Sequence, residues 1–167
     1  LILCEGDSAK AGIVSGLSKE DRNVFGVYPL KGKLINVRGE NPVKVAENNE
    51  IAEIKKILGL ELLKEYDTVD EVNKSLRYSR VVFMTDQDLD GSHIKGLGIN
   101  LFQSQWRSLS KIENFIGFIL ALFKFGFRLP FIYHHILGWI MELNCASVGA
   151  NPVSEDTLRP AVLFVES

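Results

Sequence analysis

Cysteine is scarce in this chain of 167: there are two, Cys4 and Cys145. Two thiols make neither a disulfide framework nor a four-ligand zinc site. Cys4, inside an apolar run, is expected to be a small buried hydrophobe. An excess of charge is missing too. Nineteen Lys and Arg face 21 Asp and Glu, a net charge of −2, so charge alone points to no polyanionic partner. No uninterrupted apolar run reaches the roughly 18 residues of a spanning helix, and no signal peptide is visible. No membrane partner is expected, and the contents read as cytosolic or nuclear. Internal repeats and low-complexity tracts are absent. The chain begins at Leu1, within an apolar run and without Met, so it is expected to be a piece of a longer protein.

What is present is concentrated in Arg80 to Gly96, RVVFMTDQDLDGSHIKG. Val81 to Thr85 is apolar and β-branched and predicts a buried strand. Asp86, Asp88 and Asp90 follow at alternate positions, then Gly91. Ser92 is placed to cap a helix reaching about Trp106 and carrying Ile94, Leu97, Ile99 and Leu101. The carboxylates therefore stand where a strand ends and a helix begins, which in an open α/β sheet is where ligands bind. Three clustered anions repel one another and make a divalent cation the natural partner. A solvated acidic turn is the bland alternative, but the alternation directly after an apolar strand argues against it. An EF-hand is excluded: with Asp86 as the first loop position, the twelfth is Leu97 where a bidentate Glu is required.

The start of the chain repeats this arrangement. Leu1 to Cys4 predicts a strand, Glu5-Gly6-Asp7-Ser8 an acidic turn with a capping Ser8, and Ala9 to Leu17 a helix. Val24 to Tyr28 predicts a second strand, leading into the lysine-bearing turn Pro29-Leu30-Lys31-Gly32-Lys33. Val45 to Leu58 predicts an amphipathic helix stopped by Gly59, and Asp67 to Leu76 another, capped by Asp67 or Thr68. Strands alternating with helices predict an α/β fold, a parallel sheet with covered faces.

Glu5 and the three aspartates would then converge on one sheet edge. Such a set suits one or two Mg²⁺ ions, which prefer oxygen ligands, keep waters and bridge to phosphate. A pair of ions would stabilise both oxygens of an in-line phosphoryl transfer. Lys31 and Lys33 could meet phosphate oxygens or lie on a solvated turn. His93 could be a surface residue, a carboxylate partner or a phosphate contact, and the residues alone do not separate these.

EGDSA at Glu5 to Ala9, PLKGK at Pro29 to Lys33 with INV after it, and DQDLDGSHIKG at Asp86 to Gly96 resemble the TOPRIM domain of type IIA DNA topoisomerases in order and spacing. EGDSAKAGIVSGL and DQDLDG are most similar to the eukaryotic and large-virus topoisomerase II, where bacterial gyrase typically has EGDSAGG and a DAD-type motif. The resemblance covers about Leu1 to Phe118. It implies a Rossmann-like parallel sheet flanked by helices. Glu5, Asp86 and Asp88 are implied as Mg²⁺ ligands, with Asp86 shared between two ion positions, and Asp90 as support for the site. With Glu5, also implied in moving protons, these four form the implied catalytic set. Lys33 and Asn36 would contact DNA near the scissile phosphate, with Lys31 and His93 beside them. Lys31 stands where the eukaryotic enzymes usually have Arg, keeping the charge without the bidentate fork.

The implied parent is an ATP-dependent, homodimeric enzyme of the nucleus, or of a viral or cytoplasmic replication site. It would cut one DNA duplex, pass another through and reseal. ATP would bind on a domain absent here, as would the nucleophilic Tyr, which the family carries on a winged-helix domain. Rival readings are a TOPRIM-type nuclease or primase, and a non-catalytic nucleic-acid-binding fragment. From about Ile119 the resemblance stops. Residues 119–167 hold 3 of the 19 Lys and Arg and 4 of the 21 Asp and Glu. They are expected to form an atypical hydrophobic tail, poorly packed on the core. A misread intron or frame change in a gene model would produce it, with a lineage-specific insertion as the alternative.

Overall fold

The computed structural model describes residues 1–86 and 88–121. Within these residues four parallel strands form one sheet: β1 (Ile2–Glu5), β2 (Val27–Leu30), β3 (Val81–Asp86) and β4 (Ile116–Ala121), in the order β2-β1-β3-β4. Period-two alternation sorts their side chains. Leu3, Val81 and Phe83 face the larger core, shared with Ile51, Ile54, Ile94, Leu97 and Phe102. Ile2, Cys4, Val82 and Met84 face the other side, where Ile13 and Leu17 cover them. Both faces of the sheet are thus buried, as parallel sheets require. Cys4 is fully buried, and desolvation pushes its thiol up to about 11.

Among the described residues five α-helices connect the strands: α1 (Gly6–Gly16), α2 (Pro42–Glu47), α3 (Asn49–Leu58), α4 (Val69–Ser75) and α5 (Leu89–Gln105). The single helix expected over Val45 to Leu58 is two. Asn48 breaks it with an extended backbone, and its side chain accepts from the Ile51 amide at 3.0 Å to cap α3. Asn competes well for the cap and poorly for a helix interior, so the break prevails over the apolar period. Gly59 ends α3 in the left-handed region, as expected. Thr68 rather than Asp67 caps α4, accepting from the Glu71 amide at 3.2 Å.

The second strand lies later than Val24 to Tyr28 and takes in Pro29 and Leu30. β2 is an edge strand, where a proline is tolerated. β4 runs three residues past the boundary expected at Phe118, pairing Ile119 with Met84 and Ala121 with Asp86. The remainder of the expected tail, 122–167, lies outside the described residues, as do Cys145 and Tyr133. Among the described residues no helix is long and apolar enough to cross a membrane.

Candidate metal centre

β1 and β3 are neighbours that run in the same direction, so their ends bring Glu5 and Asp86 to one edge. Both line a cleft of about 280 Å³ with Ser8, Ala9, Met84 and Thr85. Glu5 also begins α1: the next residue, Gly6, has a φ of +79°, which lets the chain turn at once from strand to helix. Ser8 does not cap this helix. Glu5 holds the cap position, with no side-chain cap bond.

The second acidic turn is tied down differently. Asp88, not Ser92, caps α5: its Oδ1 accepts from the Gly91 amide at 2.8 Å. The helix starts three residues earlier than Ser92 for that reason. Gly91 is buried there, and the Thr85 hydroxyl donates to its carbonyl at 3.3 Å. Asp90 lies in the first turn of α5 and pairs with Lys33 across 57 residues of sequence, Nζ to Oδ1 at 2.7 Å. The basic turn and the acidic turn therefore meet in space.

Among the described residues no three Asp, Glu, His or Cys side chains are gathered closely enough to hold a metal ion. Asp88 is turned to its cap and Asp90 to Lys33, while Glu5 and Asp86 line the shared cleft. Their fields still reach one another. Desolvation, then Asp88, Asp86 and Asp90, pushes the Glu5 carboxyl above its usual range, and Lys33 opposes them. The Lys33 ammonium holds Asp90 below the usual carboxylate range, with His93 adding to the effect. The donor set fits Mg²⁺, a hard cation that takes one or two carboxylates and keeps several waters.

The other candidates lie as follows. Lys31 and Asn36 are exposed, and the Asn36 side chain accepts from the Arg38 amide at 3.2 Å. His93 is exposed on α5, near enough to Asp90 to act on it electrostatically. The Toprim domain profile matches residues 1–119. The chain belongs to the Toprim family. It is 54% identical to DNA topoisomerase 2 of Pisum sativum over 116 residues, 70% of this chain and 8% of the pea protein. It is 53% identical to DNA topoisomerase 2 of Acanthamoeba polyphaga mimivirus over 125 residues, 74% of this chain and 10% of the viral protein. The crystal structure of the Plasmodium falciparum topoisomerase II DNA-binding, cleavage and re-ligation domain is similar with a TM-score of 0.66 and 39% identity. That match covers 84% of this chain and 20% of the Plasmodium chain. The chain spans about a tenth or less of the length of the pea and viral relatives.

Within this Toprim domain two side chains outside the expected set bear on the basic turn. The Tyr28 hydroxyl donates to Glu50 Oε2 at 3.2 Å, and the Lys31 amide donates to Glu50 Oε1 at 3.1 Å. Glu50 sits in the first turn of α3, where an acid suits any helix start. That local fit hides its second use, because its partners lie about twenty residues away on another element. Tyr66, just before α4, is fully buried, and its hydroxyl accepts from the Glu61 amide at 3.1 Å.

Proposed function

We propose that this domain is the Mg²⁺-binding half of the DNA cleavage and religation site of an ATP-dependent type II topoisomerase. The observation that carries the reading is the meeting of the Lys33 turn with the acidic edge, 2.7 Å from Lys33 Nζ to Asp90 Oδ1. A phosphodiester lying there would find a cation beside a set of oxygen ligands. The names of the pea and viral relatives support the same choice.

Glu5 and Asp86 would hold the metal from the cleft, with Asp86 shared between two ion positions, and Asp88 would join them through the carboxylate oxygen that does not accept from Gly91. When bound, Mg²⁺ supplies charge stabilisation to the attacking and leaving oxygens of an in-line displacement. Asp90 orients Lys33, and Lys33 and Asn36 would bind DNA phosphate, with Lys31 and His93 flanking. The raised Glu5 carboxyl is suited to carry a proton to a departing sugar oxygen. The complete reaction would need the winged-helix tyrosine and ATPase domains of a homodimer.

Lys33→Ala tests the phosphate contact. It should weaken binding of a short DNA duplex at low salt and reduce the slope of log affinity against log salt by about one unit. An unreduced slope would return Lys33 to the role of a solvated partner for Asp90.

No described tyrosine is poised as the nucleophile. Tyr28 is half-buried, donates to Glu50 and is pushed up to about 12, first by desolvation and then by Glu50. Tyr66 is inaccessible, and Tyr78 lies before β3, at the end away from Asp86. Mixing the chain with supercoiled DNA and Mg²⁺, then denaturing with detergent, should yield no protein-linked breaks. A covalent adduct mapped to Tyr28 by mass spectrometry would make the chain a self-contained cleaving enzyme.

A further inference from the structure

We infer that Glu50 is the positioning residue of the basic turn: its carboxylate clamps Tyr28 and the Lys31 amide so that Lys33 faces the acidic edge. The inference rests on the DNA-binding reading of that turn. β1 and β2 pair from Ile2–Val27 to Glu5–Leu30, and there the pairing ends, because β1 passes into α1 at Gly6. The Lys31 amide lies one residue beyond the last pair. Glu50 Oε1 supplies the acceptor that β1 does not, while Oε2 takes the Tyr28 hydroxyl from within the strand. One carboxylate thus joins the strand to the turn that follows it.

The clamp is itself anchored. The Asn48 cap fixes the start of α3, and Ile51 and Ile54 are buried just beyond Glu50. Tyr28 stays a hydroxyl donor throughout the physiological range, its pKa being raised to about 12. The distal contact of the turn is looser. Lys33 and Asp90 have side chains 47% and 61% exposed, and an exposed ion pair is weak enough to exchange for a phosphate. The turn is therefore held firmly at its base and is free to change partner at its tip.

Electrostatics alone predicts the opposite effect for this residue. Glu50 is a negative charge beside a proposed phosphate site, so its removal should tighten DNA binding if charge were all it contributed. As the clamp, its loss should weaken binding. Duplex binding at low salt, followed by fluorescence anisotropy, decides the sign. Glu50→Ala should lower affinity by about the same factor as Lys33→Ala, and the double variant should be within about twofold of Lys33→Ala alone. Glu50→Gln, whose amide oxygen can still accept from Lys31, should stay within about twofold of the original.

The Lys31 amide reports on the clamp without DNA. In ¹⁵N–¹H spectra its resonance should move in Glu50→Ala, and should shift on acid titration in the original chain but not in Glu50→Gln. The titration comparison holds even if Glu50→Ala does not fold. Tighter DNA binding by Glu50→Ala, or a Lys31 amide blind to Glu50, would overturn the inference. A normal loss in Lys33→Ala beside an unchanged Glu50→Ala would sink the clamp alone. No loss in Lys33→Ala would sink the DNA reading and the inference with it.

Discussion

Asp86→Asn should abolish DNA cleavage by an intact topoisomerase carrying this domain, and should lower the Mg²⁺ affinity of the chain at least tenfold. Changes one shell out from a metal commonly cost about 10- to 100-fold in affinity, and Asp86 is proposed as a direct ligand. Calorimetry with Mg²⁺ measures the change. Asp88→Asn should also weaken Mg²⁺ binding, yet leave the fold as stable as before. Its Oδ1 caps α5 through the Gly91 amide, and Asn caps a helix about as well as Asp. The pair of variants therefore separates metal binding from helix capping. Unchanged Mg²⁺ affinity in both would refute the metal assignment.

The same site predicts a pH dependence with a definite sign. Folded Glu5 holds its proton more tightly than an unfolded Glu, through desolvation and the three aspartates. Stability should therefore fall as pH rises from the ordinary Glu range through the raised folded value, because folding then favours the protonated form that solution removes. Mg²⁺ binding should reverse that loss by neutralising the edge, stabilising the fold by about 2.7 kcal/mol at a hundredfold excess over its Kd. Asp90 contributes with the opposite sign. Its pKa is lowered by Lys33, so its stabilising contribution is present above the ordinary Asp range and is lost as pH falls through the lowered value.

The parts of the fold legible in the sequence are those with a strong local signal. Val81 to Met84 is apolar and Thr85 is β-branched, and the run lies within β3 because a strand covered on both faces needs little else. Gly59 stops α3 because few other residues take a left-handed φ so readily. The motifs placed the acidic and basic turns without saying how each carboxylate is used. Asp88 as cap and Asp90 as partner of Lys33 depend on where α5 begins, and its cap lies four residues before Ser92. A capping rule recognises Ser92 and Asp88 equally well; the close seating of Gly91 against the end of β3 decides between them. Glu50 was illegible for another reason. Its two bonds cross from α3 to β2 and the following turn, and no period in either segment records that crossing.

The seating of α5 gives the other large expected effect. A Cβ on Gly91 would run into the backbone carbonyl of Asp86 and stand 3.0 Å from Thr85 Oγ1. Neither is the flexible end of a long side chain, so the helix start or the end of β3 has to move. Gly to Ala inside a helix ordinarily gains about 1 kcal/mol. Here overpacking, which typically costs about 1–3 kcal/mol, outweighs that gain, and Gly91→Ala should be destabilising. Gly96, five residues along the same helix, is the internal control. A Cβ there meets nothing within 4 Å, so Gly96→Ala should stabilise by up to about 1 kcal/mol. At roughly 2–4 °C per kcal/mol for a domain of this size, the two variants should melt on opposite sides of the original chain. The displacement in Gly91→Ala falls on Asp86 itself, so its Mg²⁺-dependent rise in melting temperature should shrink as well, while Gly96→Ala keeps the full rise. Equal stabilisation by both substitutions would mean that α5 does not sit against the end of β3 as described, and that Gly91 has no part in shaping the metal edge.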